Sequence, residues 1–375
     1  MGKYKVFYKR ILITVICILT IISVINIVID PYVVFHTPAT KISNLKPEAK
    51  RQERITKIIE FKLDRRKIDT VFIGTSRIDW IIDKDYFHKV TGKNATNLGI
   101  VGMNFEEYVS FPKTVLEIHP EIKNIYLGLD FYIFNKNVID NQKHEGFNKN
   151  PRLTTSELAT VLFASDTTVS SFITISKNLH CKDFVKMYRH DGLIYIFDNP
   201  VTRFVFEHVI SNYIDRFKNY EIDASTYDKL KELDLYCKKK GVKLHIFHTE
   251  GHTIDLATIY IGGYWDIYTQ WKKDLTKVSD IYDFHYINKY STEKLKPRME
   301  YFYDIAHGTP KTGNLMIDKL VLNNGDYGRL NTKDNIEALT IQDTIDLKKW
   351  LKANPEWVKT INKIKKREEA KQDAI

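Results

Sequence analysis

The chain has 375 residues, with 57 Lys and Arg against 47 Asp and Glu; 43% are hydrophobic and 28% charged. That composition excludes a disordered or fibrous protein and leaves ample material for a buried core. Three cysteines exclude a disulfide scaffold or a zinc ribbon, and a formal charge of +10 points to an anionic surface or partner without naming one.

The first element is the run 11–29 (ILITVICILTIISVINIVI), which has no charged residue and as a helix spans ~30 Å of hydrocarbon. Lys3, Lys5, Lys9 and Arg10 precede it and Asp30 follows. The positive-inside rule predicts an uncleaved signal-anchor: a cytoplasmic tail 1–10, a membrane span 11–29, and everything after it outside the cytoplasm. A cleaved signal peptide competes, but the apolar run is long for one and no A-x-A site follows. Cys17 falls in the span. Cys181 and Cys237 would face an oxidising space, where pairing is allowed but not required.

A charged, helix-forming juxtamembrane segment (30–66) leads to TVFIGTS at 70–76. Similar β-branched, apolar runs recur at 95–101, 124–131, 243–249 and 280–284, with helical patterns at 105–119, 227–240, 261–278 and 309–322. Near-continuous apolar strands alternating with helices predict an α/β domain over 67–348, with a five-stranded parallel sheet covered on both faces. Residues 133–223 break the rhythm and read as a mainly helical insertion. Beyond Lys349 the chain (349–375) is densely charged and reads as a solvated terminal helix, the basic run 363–367 included.

In an open parallel sheet, ligands bind at the carboxyl ends of the strands. The polar residues there are Ser76 and Arg77 after the first strand, Asn97 and Gly99 in the second, Asp130 after the third, and His248 and His252 after the fourth. Asp304 and His307 follow the fifth strand. Ser76 sits where a buried strand hands over to a helix, so its own N–H is placed to stabilise an oxyanion. A serine nucleophile needs a base, and the base needs an orienting carboxylate; Asp304 and His307, three residues apart, offer both from one turn.

Gly-Thr-Ser-Arg, Asn-Leu-Gly, Gly-Leu-Asp and Asp-x-x-His, in that order, resemble the motif blocks of SGNH (GDSL-type) hydrolases. The chain is most similar to a membrane-anchored bacterial branch related to alginate O-acetylation and D-alanyl-lipoteichoic-acid transfer proteins. The resemblance implies a three-layer α/β/α flavodoxin-like domain in which Ser76 is the nucleophile, His307 the base and Asp304 its orienter, with Gly99 and the Ser76 backbone as oxyanion donors. It also implies an envelope glycan as substrate, O-acyl transfer or ester hydrolysis as the reaction, and a polytopic membrane-bound O-acyltransferase as partner. Two departures stand out. Asp130 occupies the place of the family's oxyanion Asn, and an ionised carboxylate cannot donate a hydrogen bond. Either Asp130 holds a proton, or it binds something else, or Asn97 completes the hole. Asp304-Ile305-Ala306-His307-Gly308 also lacks the Ser and the aromatic common around the family's His.

Other features have plainer readings. His245 and His248 point to opposite faces of a strand, so H-x2-H-x3-H is no metal site, and the chain calls for no metal or cofactor. His252 is the better substrate-side histidine. Arg77 faces either an anionic substrate group or a carboxylate such as Asp79 or Asp130. Trp265, Trp271, Tyr264 and Tyr268 fall at helical spacing and read as core. Basic residues are interleaved with acids, which gives no nucleic-acid surface. Two rivals to acyl transfer stand: an esterase without a partner, and a catalytically inactive scaffold that binds a glycan or an acyltransferase.

Overall fold

The computed structural model describes residues 2–35, 37–48, 53–64, 66–137, 154–180, 187–189, 194–195 and 201–372. The chain divides into two compact units, Met1–Arg65 with Lys149–Asn199, and Arg66–Asn148 with Pro200–Ile375.

The second unit is built on a six-stranded sheet of β1 (Thr70–Gly74), β2 (Ala95–Gly99), β3 (Asn124–Leu129), β4 (Lys243–His248), β5 (Ile281–Asp283) and β6 (Arg329–Asn331). The strand order is β2-β1-β3-β4-β5-β6. All neighbours are parallel except β5 and β6. This is a mixed α/β unit with a mostly parallel sheet. The central strand β1 is apolar through its middle because both faces are covered: Val71, Phe72 and Ile73 are all fully buried. The order reverses at β1, so the crevice beside β1 and β3 is where a ligand of such a sheet binds. Ser76 begins immediately beyond β1.

Three sequence expectations need correction. The sheet has six strands, not five; the sixth, Arg329–Asn331, is a three-residue antiparallel edge with only its last residue buried, so it carries no apolar run. The helix expected over 261–278 is shorter, Trp265–Leu275, and a separate helix, Thr253–Gly262, precedes it; the two are broken where Gly263 turns left-handed at φ +91°. The charged tail is not a solvated helix. Ile336–Ala353 and Pro355–Gln372 are both helical, and the second buries Trp357, Ile361 and Ile364. Trp357 meets Phe206 of the helix Arg203–Arg216 at 6.0 Å between ring centroids, and Ser211 of that helix donates to Glu368. Trp265, Tyr268 and Trp271 are core residues, as their spacing suggested.

The helix that matters most for the site is α1 (Ser76–Ile81). It is held between two glycines. A Cβ on Gly99, at the end of β2, would lie 2.3 Å from the Asp79 nitrogen, and one on Gly313, in the helix Pro310–Leu322, would lie 1.8 Å from the Ile81 carbonyl oxygen. Only a residue without a side chain lets backbone approach backbone so closely.

The first unit contains the helix Gly2–Ile29, of which Tyr4–Ile29 is long and apolar enough to cross a membrane. At its end Asp30 takes φ +47°, and its carboxylate accepts from the backbone N–H groups of Val34 (2.7 Å) and Phe35 (3.1 Å). Among the described residues this unit also holds the helices Glu53–Leu63, Thr155–Phe163 and Ser165–His180 and a small antiparallel sheet. Cys237 is buried in Ser225–Lys239, where burial pushes its thiol up to about 11. Its suggested partner Cys181 lies outside the described residues.

Candidate active site

Ser76 opens α1 because Thr75 caps it: the Thr75 side chain accepts from the Arg77 N–H at 3.3 Å. As the first helical residue, Ser76 has an N–H with no acceptor inside the helix. Its half-buried hydroxyl lies 2.8 Å from His307 Nε2.

His307 is fixed by a tight turn. Phe302 and Gly308 pair as a β-bridge and the Tyr303 N–H donates to the His307 carbonyl at 2.9 Å, which closes a loop with Asp304 and His307 on its inside. Asp304 Oδ1 accepts from the backbone N–H groups of Ala306 (2.7 Å) and His307 (2.9 Å), while Oδ2 faces His307 Nδ1 at 2.8 Å. Burial by itself would raise the Asp304 pKa, but the His307 ring and those two N–H groups outweigh it and hold the carboxyl below its usual value. An ionised Asp304 keeps the proton on Nδ1 and leaves Nε2 free to accept from Ser76. Sequence reasoning missed Trp80, whose ring stacks on His307 with centroids 4.1 Å apart. The signal was present: Trp80 is four residues after Ser76, hence on the same face of α1.

The residues expected to surround this trio are placed differently. Asp130 is buried and accepts from the hydroxyls of Thr75 and Thr249, with Arg77 Nε 3.5 Å from its Oδ1. It therefore binds something else, one of the alternatives its identity left open. Asn97 is spent on the fold: Nδ2 donates to the carbonyls of Ile78, Asp79 and Ile82, closing the C-terminal end of α1. Its Oδ1 accepts the Gly99 N–H at 2.9 Å, so that expected oxyanion donor is already engaged. Arg77 does not face a substrate. It is buried, donating to the Glu250 carbonyl, to Tyr213 Oη (2.8 Å) and to Asp255 Oδ2 (2.7 Å). Nor is His252 exposed to one. It caps the helix Thr253–Gly262, accepting from the Ile254 N–H at Nδ1, while Nε2 meets the Glu293 carbonyl at 2.7 Å. Its burial lowers its pKa to about 4. His248 is equally buried, against Asp283 at 3.1 Å.

Glu250 is a second residue that sequence reasoning overlooked. It is fully buried, and its Oε1 accepts from the Gly308 N–H at 3.1 Å, next to His307. Burial outweighs the nearby Arg77 charge and raises its pKa to about 8. With its proton held more tightly than that of an ordinary carboxyl, Glu250 braces the turn that carries the histidine.

The chemistry available is that of a hydrogen-bonded serine, imidazole and carboxylate at the carboxyl end of a parallel sheet: proton transfer from a hydroxyl, with attack on an electrophile. Beside it, only the Ser76 N–H remains of the expected oxyanion donors.

No family model matches the chain, and no curated protein matches it. Among solved structures it is similar to one from Streptococcus pneumonia, described as a proposed platelet activating factor, at 10% identity and a TM-score of 0.36, over 73% of this chain and 92% of that one.

Proposed function

We propose that this chain is a membrane-anchored serine acyl-ester enzyme of SGNH type. Residues 1–10 would lie in the cytoplasm, 11–29 in the bilayer, and the α/β unit outside. The observation that carries the reading is the chain Ser76 Oγ–His307 Nε2, His307 Nδ1–Asp304 Oδ2, each link 2.8 Å long. Ser76 Oγ attacks the carbonyl of an acyl ester and His307 Nε2 takes its proton. The tetrahedral adduct collapses as His307 returns the proton to the departing alcohol. Water or a sugar hydroxyl then attacks the acyl-enzyme and repeats the cycle. Asp304 stays ionised throughout and keeps Nδ1 protonated. The substrate in this reading is an O-acylated cell-envelope carbohydrate, and a polytopic membrane-bound O-acyltransferase is the source of acyl groups if transfer prevails over hydrolysis.

A second reading, a catalytically inactive scaffold that binds a glycan or an acyltransferase, is favoured by one observation: the Gly99 N–H, the Asn97 amide and Asp130 are all committed elsewhere. Loss of one oxyanion donor costs ~100- to 1,000-fold in rate. Slow hydrolysis of activated esters is therefore what the first reading expects. Incubation of purified protein with an aryl acetate, followed by intact mass, decides between them. An acetyl adduct that forms on the wild type and not on Ser76→Ala supports the enzyme; no adduct and no turnover supports the scaffold.

A further inference from the structure

The helix Ser165–His180 is inside-out for a helix in water. Its buried residues are small and polar: Thr167, Ser170, Ser171 and Thr174. Along its length the exposed face carries Val169, Phe172 and Leu179, each more than half exposed, interrupted by Ser176; the exposed polar residues Ser165, Asp166 and His180 sit at the helix ends, and Phe163 of the preceding helix is exposed as well. A helix at a protein surface in water does the reverse, turning an apolar stripe inward. The same distribution is normal in lipid, where small and polar residues mediate helix contacts and apolar ones face the hydrocarbon.

What the polar face touches places it further. Asn26 lies near the end of the apolar helix Gly2–Ile29 and is fully buried. Its amide donates to the Leu162 carbonyl (2.9 Å) and to Thr168 Oγ1 (3.2 Å), and its Oδ1 accepts from Ser171 (2.9 Å). Asn26 is three residues before the helix end, about 4.5 Å at the usual rise. An amide at that depth in a bilayer needs a polar partner from protein, and the bent pair Thr155–Phe163 and Ser165–His180 supplies it. Just beyond the helix end, Tyr32 Oη meets Ser170 Oγ at 3.1 Å.

We propose that this helix pair is embedded in the bilayer interface beside the end of the N-terminal helix, with Phe163, Val169 and Phe172 in contact with lipid. The occupant of the exposed apolar face is then the bilayer itself, continuous with the lipid around the N-terminal helix. The inference rests on that helix being a membrane anchor and is independent of the serine chemistry.

The test uses the full chain reconstituted in phosphatidylcholine–phosphatidylglycerol vesicles, with Cys17, Cys181 and Cys237 changed to Ser and one new cysteine, Val169→Cys or Phe172→Cys, carrying an environment-sensitive dye. Lipids with a doxyl quencher on the acyl chain should strip most of the emission, and aqueous iodide should have little effect. Iodide quenching without lipid quenching, in protein that alkaline carbonate leaves in the membrane, overturns the proposal. Shielding from both quenchers overturns it too, since protein then covers the face. Release by carbonate instead refutes the anchor on which the inference rests.

Discussion

Asp304→Asn tests the site through one proton. Asp304 offers two oxygens: Oδ1 holds the backbone N–H groups of Ala306 and His307, and Oδ2 holds His307 Nδ1. Asparagine has only one acceptor oxygen. Turning its NH2 toward the two backbone donors would sacrifice two hydrogen bonds to save one, at ~1–3 kcal/mol for each donor left unmet. The oxygen therefore stays with the backbone, and the NH2 faces Nδ1. Nδ1 must then accept, which moves the ring proton to Nε2, 2.8 Å from Ser76 Oγ. That tautomer donates to the serine and cannot take its proton. A loss of ~10,000-fold, about 5.5 kcal/mol on the barrier, is the expected size of a wrong-tautomer effect. The fold should be nearly untouched, because every backbone hydrogen bond of the turn survives. The assay is the second-order rate of acylation by an aryl acetate, with the urea midpoint measured beside it. Acylation of Asp304→Asn within a few-fold of wild type would refute the assigned tautomer and the role of Asp304.

Three further outcomes follow from the same geometry. Trp80→Ala removes the ring stacked on His307; a contact of this kind contributes ~0.5–1.5 kcal/mol, so acylation should slow by roughly two- to tenfold, with Trp80→Phe recovering part of it. Gly99→Ala drives a methyl into the Asp79 backbone and should destabilise by ~1–3 kcal/mol, read as a lower urea midpoint at unchanged slope. Glu250 sets a pH dependence: unfolded, it loses its proton near 4.5, but folded it keeps the proton to about 8. The folded state is thus the more protonated between those values, so this contribution is complete below 4.5 and falls by ~1.4 kcal/mol per pH unit up to 8. His248 and His252, lowered to about 4, act oppositely, and their contribution is lost as pH falls from 6.5. The declining limb should therefore appear between pH 6.5 and 8, and Glu250→Gln should flatten it.

The parts legible in sequence were those governed by local pattern. Val71, Phe72 and Ile73 declare a strand covered on both faces by composition alone, and Asp304 with His307 belong to one turn, so their spacing survives folding unchanged. The parts that were not legible depend on what arrives from elsewhere. Asp130 and Arg77 look like site residues because they follow strand ends, and Asn97 because it lies two residues short of one, yet each is consumed by partners remote in sequence, such as Thr249, Asp255 and the α1 carbonyls. His252 was misplaced because the helix it caps was hidden between a strand end and the Gly262-Gly263 break. The tail carried its own signal in Trp357, Ile361 and Ile364 at helical spacing, outweighed by the surrounding lysines and glutamates. The inside-out character of Ser165–His180 was invisible without knowing which face is buried, since Val169, Ser170, Ser171 and Phe172 have no orientation in a string.

The central claim is that Ser76 is a nucleophile activated by His307. The most direct measurement is reaction of the detergent-solubilised full chain with a fluorophosphonate probe, followed by mapping of the modified peptide. The account predicts a single adduct at Ser76, absent in Ser76→Ala and strongly slowed in His307→Ala. A folded wild-type protein that takes up no probe, or a Ser76→Ala variant that takes it up equally, would contradict it.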